Sequence, residues 1–324
     1  MLMLLKRGGL AAGLAMLATT GAVAQSYPTR PVAITVPFAA GGPTDVVART
    51  IADAMTRAMP GASVIVENVA GAGGTIGVTK IARASPDGYS LLIHHIGMST
   101  APALYRKLQF DPLKDFEYIG LINDVPMTML VKNGFPPNNL KELVPYLKAN
   151  AGKVSFANAG IGSASHLCGL MFMSAIEVDL TTVPYKGTAP AMTDLIGGQV
   201  QAMIETAPSA QPQFKAGKIR ALATTTAQPV STLPGVPTAA QAGLPGFEMT
   251  SMFGVAAPAG TPDAIIQRLS AELKKILAEP ETRDALLAQG AVATWTTPDE
   301  ATKAVNAEYA KWAKVIKDGN IKPE

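Results

Sequence analysis

Cysteine is nearly absent from this sequence: Cys168 is the single one in 324 residues. One thiol closes no internal disulfide, and none stands near the amino terminus to carry a lipid anchor. Aromatic residues make up only 6% and charged residues 16%. Lysine and arginine total 27 against 24 acids, so the clear basic excess of a nucleic-acid binder is missing. Histidine is scarce too. His94 and His95 are neighbours, which on an extended segment face opposite ways, while His166 and Cys168 diverge on a helix. No metal site is predicted from them. Past the first two dozen residues, no apolar run approaches the length of a membrane span.

Those first residues read as a secretory leader. Lys6 and Arg7 form a short positive region, Gly8 to Thr20 a small-residue apolar core, and Ala22-Val23-Ala24 before Gln25 has the form of a cleavage site. Residues 1–24 are expected to be removed, leaving 25 basic against 24 acidic side chains. Lys6-Arg7 is not a twin-arginine pair, so export in the unfolded state is expected, with the periplasm as destination.

Glycine and alanine are abundant, and strand-like apolar runs alternate with helical patterns, which predicts an α/β fold on mainly parallel sheets. Val32–Val36 leads into a helix near Thr44–Met59, where Val47, Ile51, Ala54 and Ala58 recur at the 3.6 period. Ser63–Val66 and Tyr89–Ile93 follow as strands, the latter behind the Pro86-Asp87-Gly88 turn. A second set comprises strands at Met127–Val131, Val154–Ala157, Leu180–Val183, Val200–Ile204 and Ile219–Ala223, with helices at Asn139–Ala149, after the Asn158–His166 loop, and ahead of Gly197-Gly198. The proline-rich run from Pro229 to Pro245 looks like a return crossing. It is followed by strand Met252–Ala256 and helices near Pro262–Leu277 and Pro298–Lys317. Two lobes are expected, 25–124 with 229–324 and 125–228, joined by two crossings that make a hinge and a cleft.

Chemistry is expected where strands end and helices begin. The stretch Pro37-Phe38-Ala39-Ala40-Gly41-Gly42-Pro43-Thr44-Asp45 leaves backbone N–H groups uncovered at a helix start, with Pro43 as punctuation and Thr44 or Asp45 as caps. Such a loop is ready to hold an anion. Gly160-Ile161-Gly162-Ser163-Ala164-Ser165 has the same character. Together the two loops present enough N–H and O–H donors to hold one carboxylate without an arginine. His95, Met98 and Ser99 follow the third strand, and Thr206 follows the Val200–Ile204 run. These complete the candidate ligand-binding set, with no catalytic residue and no cofactor assigned.

Other chemistries fit less well. Gly71-x-Gly73-x-x-x-Gly77 falls on the second strand unit, lacks a ribose-binding acid about twenty residues on, and lacks a Gly-Lys-Ser/Thr ending. Gly97-Met98-Ser99-Thr100-Ala101 vaguely has the look of a hydrolase elbow, but only His166 follows it and no triad order is met. An exported α/β enzyme such as an esterase stays the competing class. A structural or adhesive protein would need no hinge.

Taken in order, several motifs resemble one family. They are the Pro37–Asp45 loop, Glu67-Asn68 with Gly71-Ala72-Gly73-Gly74-Thr75-Ile76-Gly77, Pro86-Asp87-Gly88-Tyr89, Tyr105 with Asp111-Pro112 and Asp115-Phe116, Val183-Pro184-Tyr185-Lys186-Gly187, and Ala216–Leu222. The chain is similar to periplasmic solute receptors of tripartite tricarboxylate transporters, the Bug-type receptors, over essentially its whole mature length. That resemblance implies a type II-like flytrap of two α/β lobes, no chemistry on the ligand, and delivery to a membrane permease of one large and one small integral subunit. It also implies a carboxylate gripped by the Phe38–Asp45 and Gly160–Ser165 loops, partly through ordered water. Val69-Ala70 and His94-His95-Ile96 depart from the family pattern, the second where the distal end of the ligand should sit. A dicarboxylate is expected, with terephthalate the first candidate, bound by a monomer.

Overall fold

The computed structural model describes residues 27–318; the leader expected at 1–24 lies outside the described residues. The chain runs β1 (Val32–Val36), α1 (Pro43–Ala58), β2 (Val64–Asn68), α2 (Thr75–Ala82), β3 (Ser90–His94), α3 (Gly97–Leu104), β4 (Phe116–Lys132) and α4 (Leu140–Asn150). It continues through β5 (Ser155–Asn158), α5 (Ala164–Ile176), β6 (Thr181–Pro184), α6 (Thr188–Gly197), β7 (Ala202–Thr206), α7 (Ala207–Lys215) and β8 (Ile219–Thr224). It ends with β9 (Thr250–Pro258), α8 (Asp263–Ala278), α9 (Pro280–Ala288), β10 (Val292–Ala293) and α10 (Pro298–Asp318).

The sheet is mixed rather than mainly parallel. Its wings are parallel, β2 and β3 flanking β1, and β6 and β7 flanking β5. Its middle is antiparallel, because β4 carries the chain outward and β9 brings it back. β4 is one long strand that pairs with β9 up to Pro126 and with β7 and β8 from Met127 onward. Thus it joins two lobes. The interruptions at Asp124 and Pro126 hide this continuity in the sequence.

Each lobe has its own core. In the first, Val47, Ile51 and Met55 of α1 bury one helical stripe against Ile34, Ile119, Phe253 and Leu273. In the second, Met127, Val131, Leu143, Phe156, Leu167 and Phe172 pack together. The run 229–249 differs from its expected role as a crossing. Leu233 and Val236 pack on α7, and Ala239, Ala242, Phe247 and Met249 bury in the second core. The chain therefore crosses back near Thr250. Helix α10 spans both lobes, with Ala301 and Val305 among first-lobe side chains and Trp312 and Ile316 in the second core.

Candidate functional site

Between the lobes lies a small cavity with about 350 Å³ of non-atom space, open solvent included. The β1–α1 loop contributes Phe38, Gly42, Pro43 and Thr44; the β5–α5 loop contributes Ala159, Ser163, Ala164 and Ser165. His95 follows β3, Thr188 opens α6, Glu205 and Thr206 end β7, and Ser251 and Phe253 come from β9. Four helix N-termini therefore meet at one space. Three of them, on α1, α6 and α7, have no side-chain cap, so their first N–H groups stay available.

The β1–α1 loop is built for this. Gly42 sits at the N-cap in extended conformation without a side chain, and Pro43 opens the helix, where its missing N–H is no loss. The Thr44 side chain lines the cavity, and its hydroxyl has no partner among the described residues. Asp45 turns away. Its carboxylate accepts from Gly41 N–H at 2.9 Å, from Arg49 at 3.0 and 2.9 Å, and from Asn68 Nδ2 at 2.9 Å. Burial opposes ionisation there, but these bonds hold the carboxyl below its usual range. Asp45 thus shapes the loop without lining the cavity. Ala39 and Ala40 also lie outside the lining; Ala39 N–H donates to the Lys186 carbonyl at 3.3 Å.

Ser163 caps α5 by accepting His166 N–H at 3.2 Å, and its Oγ stands 3.1 Å from that of Ser165. Ser165 Oγ accepts Ala159 N–H at 2.8 Å. Gly162 stays behind the wall: its N–H donates to His166 Nδ1 at 3.2 Å, and its carbonyl accepts the Thr100 hydroxyl at 3.1 Å. On the opposite side the His95 ring lies tilted against Phe38, with ring centroids 4.7 Å apart. Burial lowers His95 to about 4, so the imidazole is neutral. Its Nδ1 accepts Gly97 N–H at 2.9 Å, which leaves the proton on Nε2 as a hydrogen-bond donor. Met98 lines a separate small hollow beside Gly73, Gly74 and Phe110. Ser99 is spent on packing, its hydroxyl donating to the Val305 carbonyl of α10 at 3.2 Å.

The glycine cluster takes another task. Gly73 has φ +61°, and a Cβ there would overlap the Ile161 carbonyl and the Tyr105 hydroxyl. The α2 entry and the β5–α5 loop thus touch backbone to backbone, and Tyr105 donates to the Ile161 carbonyl at 2.6 Å. This contact closes one flank of the cleft. Among the described residues no group of His, Cys, Asp or Glu side chains is arranged to hold a metal.

The sequence pattern matches the model of the tripartite tricarboxylate transporter family receptor over residues 47–321. The chain belongs to this receptor family. The periplasmic binding protein BugD is 47% identical with a TM-score of 0.89, covering 92% of this chain and 100% of that one. MatC from Rhodopseudomonas palustris, with bound malate, is 37% identical at a TM-score of 0.86, covering 90% and 100%. The R. palustris protein Rpa4515, with adipate, is 35% identical at 0.89, covering 92% and 100%. The protein is a periplasmic solute-binding receptor with a two-lobed α/β fold, and not an enzyme.

Beyond Pro43 and Ala159, which sit beside candidate residues, four wall residues of this receptor lie outside the set expected from the sequence: Thr188, Glu205, Ser251 and Phe253. They reach the cavity from strands and a helix start far apart in the chain. Glu205 alone left a trace, as an acid ending the apolar run Ala202-Met203-Ile204.

Proposed function

We propose that this receptor captures a small dicarboxylate in the cavity between its lobes and delivers it to a membrane permease of one large and one small integral subunit. The observation that carries this is the convergence of uncapped helix N-termini on a cavity that no lysine or arginine lines. Such a site favours an anion through N–H groups and helix dipoles. One carboxylate sits at the α1 N-terminus, on the Thr44 hydroxyl and neighbouring N–H groups, with ordered water filling the remaining bonds. Phe38 and Phe253 flank the body of the solute. His95 Nε2–H meets a further polar group. Malate and adipate in related receptors support the class, and terephthalate is the first aromatic candidate for a cavity walled by two phenyl rings. The lobes turn about β4 and β9 near Pro126 and Thr250.

Isothermal titration of the ligand-stripped mature chain against terephthalate, other benzene dicarboxylates, citrate, succinate and benzoate tests this. Saturable micromolar binding to a diacid, with benzoate weaker, is the expected result. Equal binding of benzoate and terephthalate would remove the dicarboxylate reading, and silence across the panel would remove the carboxylate altogether.

A further inference from the structure

Glu205 is the single carboxylate among the residues that line the cavity. It is 2% exposed, and no lysine, arginine or histidine pairs with it among the described residues. A buried charge without a counter-charge is destabilising unless donors surround it. Donors do surround it. Thr206 gives its N–H at 2.8 Å and its hydroxyl at 3.2 Å, and the Thr188 and Ser165 hydroxyls lie near enough to favour its ionised form. Burial raises the pKa of the Glu205 carboxyl while these donors favour its ionised form, so the wall of the second lobe presents a carboxyl group whose neighbouring hydroxyls turn toward it rather than toward a ligand. Next to this lie two hydroxyls with no partner. Thr128 stands opposite Glu205 in the β4–β7 ladder, and Ser251 lines the cavity; both are fully buried.

The two poles of the cavity are thus opposite in kind. The α1 N-terminus offers N–H groups and the free Thr44 hydroxyl. The facing wall offers a carboxylate. The titratable groups facing Glu205 are Cys168 of α5 and, across the cavity, His95; burial raises the first and lowers the second, so both are neutral. Neither supplies a cation. A solute carboxylate placed at the α1 pole is satisfied, whereas a second carboxylate at the other pole shares a dry space with the Glu205 carboxyl, where the two cannot both stay ionised.

We propose that Glu205 is the specificity-determining residue of this cavity, selecting solutes whose carboxylate is accompanied by a hydrogen-bond donor, a hydroxyl or an ammonium group, at the end that meets the second lobe. This rests on the carboxylate reading given above and narrows it. A plain diacid enters only with one proton held between its distal carboxyl and that of Glu205.

Succinate, malate and aspartate form the matched test, since they differ at one carbon by a hydrogen, a hydroxyl and an ammonium group. Each is titrated into the ligand-stripped mature protein at pH 7.5, in two buffers of different ionisation enthalpy so that protons are counted. At least a tenfold preference for malate or aspartate over succinate is expected, with about one proton taken up by succinate if it binds. A malate preference identifies the hydroxyl as the donor, and an aspartate preference the ammonium. Glu205→Gln should erase the preference and the proton uptake and tighten succinate binding. The wild-type series decides even if that variant does not fold, and Glu205→Asp, which keeps the charge, should retain the preference. Equal affinity for all three without proton uptake, or a preference for succinate, overturns the role of Glu205 while leaving the carboxylate receptor standing. Silence from all three and from the terephthalate panel overturns both.

Discussion

Thr44 and Ser163 both present hydroxyls at the cavity, but only one of them is free. Ser163 already serves as the N-cap of α5, whereas the Thr44 hydroxyl has no partner among the described residues. Thr44→Ala should therefore weaken ligand binding by about 1.5–3 kcal/mol, the worth of a hydrogen bond to a charged group, and leave the melting temperature unchanged. Ser163→Ala should instead lower stability by about 1 kcal/mol through loss of the cap. Titration calorimetry beside thermal melts separates the two, and a melting change in Thr44→Ala would mean that its hydroxyl is structural. At this scale the sequence was most legible where a residue belongs to a glycine-rich loop. Phe38, Gly42, Thr44, Ser163, Ala164 and Ser165 all line the cavity, since short loops between strand and helix carry their neighbours to one place. Asp45 and Ser99 were named for the same positional reason and point elsewhere. Position in a loop does not say which way a side chain turns.

Among the elements, the entry of α2 shows what a glycine cluster can do besides holding phosphate. Gly73 meets the Ile161 carbonyl so closely that no Cβ fits, and its positive φ would cost a side chain about 1–2 kcal/mol in any case. Gly73→Ala should hold the cleft ajar. Ligand affinity should fall at least tenfold, and small-angle scattering should show no contraction on adding ligand where the wild type contracts. Unchanged affinity would show that the flank can open without disturbing the site. Strand and helix positions were largely readable from period and punctuation, but α3, α7 and α9 were not. Pro208 and Pro212 break the pattern of α7, yet the first stands in the opening turn and the second is tolerated inside. Helix α9 is only nine residues long and follows α8 with a single residue between, so its periodicity merges with that of its neighbour.

For the molecule as a whole, the three histidines set how stability answers to acid. His94, His95 and His166 are lowered from 6.5 to about 3, 4 and 4, in each case chiefly by burial. Between those values and 6.5 the unfolded chain binds more protons than the folded one. Stability is then fully present above pH 6.5 and falls as the pH drops toward 4. Urea midpoints should decline from pH 7 to pH 5, a range in which ordinary carboxylates hardly titrate; a flat profile would mean that the imidazoles reach solvent. The two-lobed plan was expected from the alternation of strands and helices, while the path of the return was not. The run 229–249 carries Phe247 and Met249 into the second core, and nothing in a proline-rich stretch tells which lobe will bury its scattered apolar residues. Cys168 adds a practical property. The only thiol of the chain is fully buried, and its pKa is raised by that burial, so reagents in solution meet no reactive sulfur on the native surface. One cysteine introduced at Ile76, an exposed residue of α2 beside the closing flank, would be the sole site to take a fluorescent dye. Closure would then be reported as light, turning the natural receptor into an optical sensor without any need to remove the native thiol.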